Sequence, residues 1–207
     1  FWSRANKAGI KPIIGVEAYL TPGTARADRT RVKFADGGRN DVSGAGAYTH
    51  MTLLAETTEG MQNLFRASSY ASLEGQLYKP RMDRDLLNRY GKGPIATTGC
   101  PSGEIQTRLR LGQYDKAVEA ASEFRDIFGR EHYFLELMDH GNQIERRVRE
   151  DLMRLAKDLQ LPLLATNDLH YVKQEDAIAQ DALLCINSGS TLLDPDRFKF
   201  DGTGYYI

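Results

Sequence analysis

The chain has 207 residues, 41% of them hydrophobic and 27% charged, with a formal net charge of −1. This composition suits an ordinary globular domain with a sizeable core and excludes a disordered tail or a fibrous repeat. No apolar run approaches the roughly 20 residues that span a bilayer, and the balanced charge leaves any contact with nucleic acid to a local patch or a bound metal.

The opening residues carry neither an initiator Met nor an apolar signal region. They read as the tail of a helix closed by Gly9, so an upstream segment is expected, and the last residues, Gly204 to Ile207, read as an interrupted strand. Between them, five short apolar runs at residues 10–20, 48–55, 94–98, 132–138 and 161–166 have the length and the Gly or Pro punctuation of strands. Helical periods separate the later ones. Residues 59–69 place Met61, Leu64, Phe65 and Ser68 on one face. Residues 102–128 carry Ile105, Leu109, Ala117, Ala120, Ala121, Phe124 and Ile127, with a break at Gly112. Residues 143–159 space Ile144, Val148, Leu152, Leu155 and Leu159 three and four apart, and residues 174–186 form another such stretch. Strands alternating with helices predict an α/β fold with a parallel sheet, open or closed into a barrel.

Residues 21–47 are rich in Gly, Asp and Arg and hold no period. A loop of this length is either functional or a solvated insertion. Its Arg26, Arg29, Arg31, Lys33 and Arg39 are candidates to meet phosphates.

The chemistry-bearing residues gather where apolar runs end. In Thr166-Asn167-Asp168-Leu169-His170-Tyr171, Asp168 and His170 stand two apart and can turn toward one point. A carboxylate with an imidazole suits Zn, Mn or Fe, and a hydrogen-bonded loop is the plain alternative. Cys100, in Gly99-Cys100-Pro101-Ser102-Gly103-Glu104, sits at a helix start that favours thiolate, and it reads equally as a small buried Cys. Cys185 lies inside a helical run and reads as packing. With two Cys and no secretory signal, reduced thiols in a cytoplasm are expected. Glu17 and Glu136 interrupt apolar strands, where a carboxylate needs a partner or a metal. His50 adds an imidazole, His140 reads as part of a polar Asp-His-Gly turn, and His132 lies at a strand entrance. No Walker loop, GxGxxG or Ser-His-Asp pattern is present.

Taken together, residues 7–19, Tyr48-Thr49-His50, residues 97–104 and Asn167-Asp168-Leu169-His170-Tyr171 resemble the PHP (polymerase and histidinol phosphatase) domain of bacterial DNA polymerase III alpha subunits. Residues 194–200 look like that family's lead-out toward the polymerase portion. Residues 100–104 and 135–141 look most like the actinobacterial type. The resemblance implies a distorted seven-stranded βα (TIM-like) barrel, of which this chain holds about five strands. It also implies a PHP domain over residues 1–193 and the start of the lead-out over 194–207.

By the same resemblance, Glu17, His50, Cys100, Asp168 and His170 are metal ligands, and Asp168 and His170 also serve catalysis. The metals would be divalent Zn, Mn or Fe, two or three in a complete domain. The family's His-x-His segment and its Thr-Asp-His-Gly turn have no counterpart here. The implied activity is 3′–5′ exonuclease proofreading at a DNA primer 3′ end, inside a cytoplasmic replicative polymerase whose partners include other replicase subunits and the sliding clamp. Made alone, the chain is expected to bind metal weakly and to release no nucleotides. A stand-alone phosphoesterase of the histidinol-phosphatase kind and a non-catalytic structural module remain open. The five candidate ligands are expected to line one cavity, with His132 at the far end and Cys100 unpaired.

Overall fold

Each of the five apolar runs forms a strand in the computed structural model, which describes residues 1–35, 42–200 and 202–207. In chain order, α1 (Trp2–Lys7) leads to β1 (Gly15–Leu20), and the single turn α2 (Ser43–Gly46) leads to β2 (Thr49–Ala55). Helix α3 (Thr58–Glu74) is followed by the short hairpin β3 (Gln76–Leu77) and β4 (Lys79–Met82), then by α4 (Arg84–Tyr90) and β5 (Pro94–Thr97). Helices α5 (Glu104–Arg110) and α6 (Tyr114–Phe128) precede β6 (Tyr133–Leu137), and α7 (Gln143–Leu159) precedes β7 (Leu163–Ala165). Helix α8 (Ala177–Ser188) comes last.

Local chemistry sets these boundaries. Side-chain oxygens of Thr57, Asp83 and Asn142 accept hydrogen bonds from the backbone N–H groups of Gly60, Leu86 and Glu145, capping α3, α4 and α7. Gly112, at φ +72°, divides α5 from α6 at the expected break. Strand β1 starts later than its apolar run, because Pro12 has no N–H for a ladder, and Ile10 and Ile13 stay exposed.

Two further strands, β3 and β4, bring the sheet to seven among the described residues, against the five expected. They join at Tyr78, whose φ is +61°. The order is β3-β4-β1-β2-β5-β6-β7. The expected parallel pairing holds for β1 with β4, β5 with β6, and β6 with β7, whereas β2 runs antiparallel to both β1 and β5. The sheet is therefore mixed. As a helix-covered α/β sheet with β3 and β7 at its edges, it is consistent with part of a TIM-like barrel.

Alternation along β1 and β2 sends Ala18, Leu20, Met51 and Leu53 into the core, with Glu17, Tyr19 and His50 on the other face. The core continues through Leu64, Phe124, Tyr133, Leu135, Val148, Leu152 and Leu155. Helix α3 is turned from its expected face. Asn63, Leu64, Ala67 and Ala71 are buried, while Phe65 is exposed. The cause is Gly60, where a Cβ would stand 2.2 Å from the Gly93 carbonyl oxygen. That close approach presents the small residues of α3 to the sheet.

The loop before β2 is strapped to this body. Arg81, 1% exposed, donates from its guanidinium to the carbonyl oxygens of Ala47, Arg26, Asp28 and Gly75. Arg26 in turn pairs with Glu74, Asp83 and Asp85. Arg31 meets Tyr78. Of the expected phosphate-binding side chains, Arg26 is thus occupied by carboxylates, and Arg39 lies outside the described residues.

Candidate metal centre

The antiparallel register of β1 and β2 sets Tyr19 opposite His50, so Glu17 lies diagonally across from His50 on the same face. Glu17 Oε1 is 2.8 Å from His50 Nδ1. The exit of β5 brings up Cys100, whose Sγ is 3.5 Å from the same nitrogen. Tyr48 stacks on the His50 ring and Tyr19 meets it edge-on, so the imidazole has little freedom. One donor atom each from Glu17, His50 and Cys100 lie within 4.8 Å of one another. A carboxylate, an imidazole and a thiol at this spacing fit one borderline-soft divalent ion.

Five strands present their carboxyl ends at this end of the sheet or near it. His50 is different: because β2 is antiparallel, it stands at that strand's amino end. Glu17 is also placed otherwise than a strand carboxylate facing an apolar core. Its side chain is 52% exposed and looks into an open cleft. The cleft measures about 590 Å³, and Asp168 and His170 line it together with Glu17, His50 and Cys100. Asp168 Oδ1 and His170 Nε2 are 3.6 Å apart.

Electrostatics tie the cluster together. The hydrogen bond from His50 lowers the Glu17 pKa, despite partial burial. Burial alone would lower His50, but the Cys100 thiol and the Glu17 carboxylate outweigh it and raise its pKa to about 9. Both cysteines are free. Cys100 faces the cleft, whereas Cys185 is buried in α8 beside exposed Leu183 and Ile186.

The other candidates lie elsewhere. His132, at the amino end of β6, pairs with Glu56 just past the carboxyl end of β2, opposite the cluster. Glu136 is 7% exposed and is engaged as a strut. It accepts from Thr97 Oγ1 and Gly99 N at the β5 exit and from Thr166 Oγ1 at the β7 exit. His140 is not in a free turn. Nδ1 meets Glu145, Nε2 meets the Asn167 carbonyl, and the ring stacks on Tyr205. Opposing burial, these partners raise its pKa.

The segment after α8 also takes part, which sequence reading missed. Phe198, Lys199, Phe200 and Tyr205 line the cleft, and Phe200 packs on the His170 ring at 4.5 Å. The alternating aromatics Phe198 and Phe200 were the available signal.

The PHP domain family model matches residues 1–140. Over its whole length the chain is similar to the DNA polymerase III subunit alpha of Saccharopolyspora erythraea, at 58% identity across 217 residues, covering 18% of that protein. It is likewise similar to that of Mycobacterium tuberculosis, at 57% across 210 residues and 18% of the protein, and to that of Deinococcus radiodurans, at 41% across 208 residues and 15%. The chain therefore spans less than a fifth of the length of these curated relatives. Asp168 and His170 lie beyond the residues the family model matches but inside the stretch aligned with the relatives. No helix among the described residues is long and apolar enough to cross a membrane.

Proposed function

We propose that this chain, which belongs to the PHP domain family, forms the metal-binding front part of a cytoplasmic replicative DNA polymerase alpha subunit and supplies part of the site for 3′–5′ exonuclease activity on a primer 3′ end in the full-length protein. One observation carries the reading: Glu17, His50 and Cys100 set their donor atoms within 4.8 Å of one another, on the same cleft as Asp168 and His170. Residues 1–193 are assigned to the PHP domain and 194–207 to the start of the lead-out, a segment that contributes Phe198, Lys199, Phe200 and Tyr205 to the cleft wall. The relatives' names support the polymerase context, and in that context DNA, other replicase subunits and the sliding clamp are the partners assigned here.

Bound divalent ions, Zn, Mn or Fe, would supply Lewis acidity to a phosphodiester and an activated nucleophile. This chain's own residues do the rest. Glu17, His50 and Cys100 hold one position, and Asp168 with His170 adds a second carboxylate and imidazole to the same cleft. Lys199 lines the cleft and offers a positive side chain to a substrate phosphate. Phe198 and Phe200 add apolar surface to the cleft lining.

The test uses the full-length protein and a labelled primer with a 3′ mismatch, assayed with each divalent ion. Asp168→Ala is expected to cut nucleotide release by about a hundredfold or more, while primer extension on a matched end continues. Equal release by the variant and the wild type would refute the assignment.

A further inference from the structure

We infer that His140 is a positioning residue of the metal site: through Glu145, Asn167 and Tyr205 it fixes the peptide that aims Asp168 and His170 into the cleft. The inference rests on the metal-site reading proposed above and adds a residue outside the five ligands.

The His140 side chain is 1% exposed. A buried imidazole is costly unless both nitrogens are engaged, and both are. Nδ1 lies 2.6 Å from Glu145 Oε1, and Nε2 lies 2.9 Å from the Asn167 carbonyl oxygen. A carbonyl oxygen only accepts, so Nε2 carries a hydrogen and donates it. That carbonyl belongs to the peptide joining Asn167 to Asp168, and the orientation of this peptide enters directly into the φ of Asp168. The angle is +40°. A positive φ is uncommon for a residue with a side chain, even one such as Asp that tolerates it better than most, and it persists where the surroundings hold it.

The surroundings do so from two sides. Asn167 Nδ2 donates to the carbonyl oxygens of Gly204 and Tyr206, at 2.7 and 2.6 Å. The His170 N–H donates to the Tyr205 carbonyl at 3.0 Å. The Tyr205 ring lies 4.0 Å from the His140 imidazole at 11° between planes. His140 thus grips both the ligand-bearing loop and the segment to which that loop is tied. Its own anchor is firm: Glu145 Oε2 accepts the His140 N–H at 2.7 Å, and Glu145 is set by the Asn142 cap of α7. Partners that orient ligand-bearing groups in this way typically change metal affinity when lost.

The experiment compares full-length wild type, His140→Phe, Glu145→Gln and Asn167→Asp. Each is stripped of metal, titrated with Co²⁺ by absorption, and followed by amide exchange of the peptide covering residues 166–171. A thiolate-to-cobalt band from Cys100 in the wild type tests the underlying reading. Its complete absence there would overturn that reading, and this inference with it. Phe keeps a ring against Tyr205 but donates nothing. His140→Phe is therefore expected to retain the Cys100 band, to weaken Co²⁺ binding at the Asp168 and His170 side by about 10- to 100-fold, and to speed exchange of the loop.

In Glu145→Gln the amide accepts the His140 N–H and donates to Nδ1, which leaves Nε2–H on Asn167, so binding is expected to stay close to wild type. Wild-type affinity and exchange in His140→Phe would overturn the inference, as would an equal loss in Glu145→Gln. Should His140→Phe fail to fold, Asn167→Asp acts on the same peptide from the side tied to Gly204 and Tyr206. It must weaken Co²⁺ binding in the same way, and unchanged binding would overturn the inference.

Discussion

Glu136→Ala is expected to loosen the metal side of the sheet without touching a ligand. Glu136 accepts from the Gly99 N–H at 3.0 Å and from the hydroxyls of Thr97 and Thr166, so it joins the strand exits that carry Cys100 and the 166–170 loop. Alanine orphans all three donors. The threonine hydroxyls can rotate to other acceptors, but the Gly99 amide is fixed by its φ of +76°. Among the described residues its other acceptor, Thr97 Oγ1 at 3.3 Å, is longer than a good N–H···O bond.

A hydrogen bond to a charged acceptor contributes about 1.5–3 kcal/mol net. Counting the amide alone gives about 2 kcal/mol of local stability, or roughly a 30-fold faster local opening, since 1.4 kcal/mol is a factor of ten. Amide exchange of the peptide covering residues 97–105 in the full-length protein reads this directly. Glu136→Gln keeps one oxygen for Gly99 and Thr97 and turns its amide to the Thr166 oxygen, so it should lose far less. Unchanged exchange in the alanine variant, or an equal loss in both, would show that Glu136 is not the strut described here.

Two further outcomes follow from charge. With His50 raised to about 9, a metal binding there displaces its proton, and a Cys100 thiolate ligand adds its own ionisation, so Zn²⁺ affinity should climb at least about tenfold per pH unit from pH 7 towards about 9; calorimetry in buffers of different ionisation enthalpy checks the released protons, and pH-independent affinity would contradict it. The same raised pKa stabilises the metal-free fold fully below the unfolded value of about 6.5 and loses that support as pH rises through about 9, so its melting temperature should fall across that window. Arg81→Lys replaces a guanidinium bonded to four carbonyl oxygens with an ammonium that has only three donors and no fork. It should cost about 3 kcal/mol and speed tryptic cleavage at Arg29, Arg31 and Lys33. An unchanged cleavage rate would mean that the loop is held by something other than Arg81.

Local signals were legible where local physics decides. The apolar runs became β1, β2, β5, β6 and β7, and the three-four period over residues 143–159 became α7 at the predicted ends. The β3–β4 hairpin escaped notice because Lys79-Pro80-Arg81-Met82 has no apolar pattern. Its buried guanidinium is meaningful only once the loop carbonyls surround it. The cap Asp83 before Arg84-Asp85-Leu86-Leu87 did announce α4 and could have been read. The direction of β2 had no local signature at all, yet the placement of His50 depends on it. A strand antiparallel to β1 must bring its amino end, not its carboxyl end, to the metal side, and the diagonal from His50 to Glu17 exists only in that register.

The same reasoning explains His140. Within Asp139-His140-Gly141 it looks like a polar turn, because its partners stand five residues away at Glu145, 27 away at Asn167 and beyond α8 at Tyr205. Residue types at strand ends point to candidate ligands. The groups that orient those ligands are assembled by tertiary packing, so no spacing in the chain identifies them.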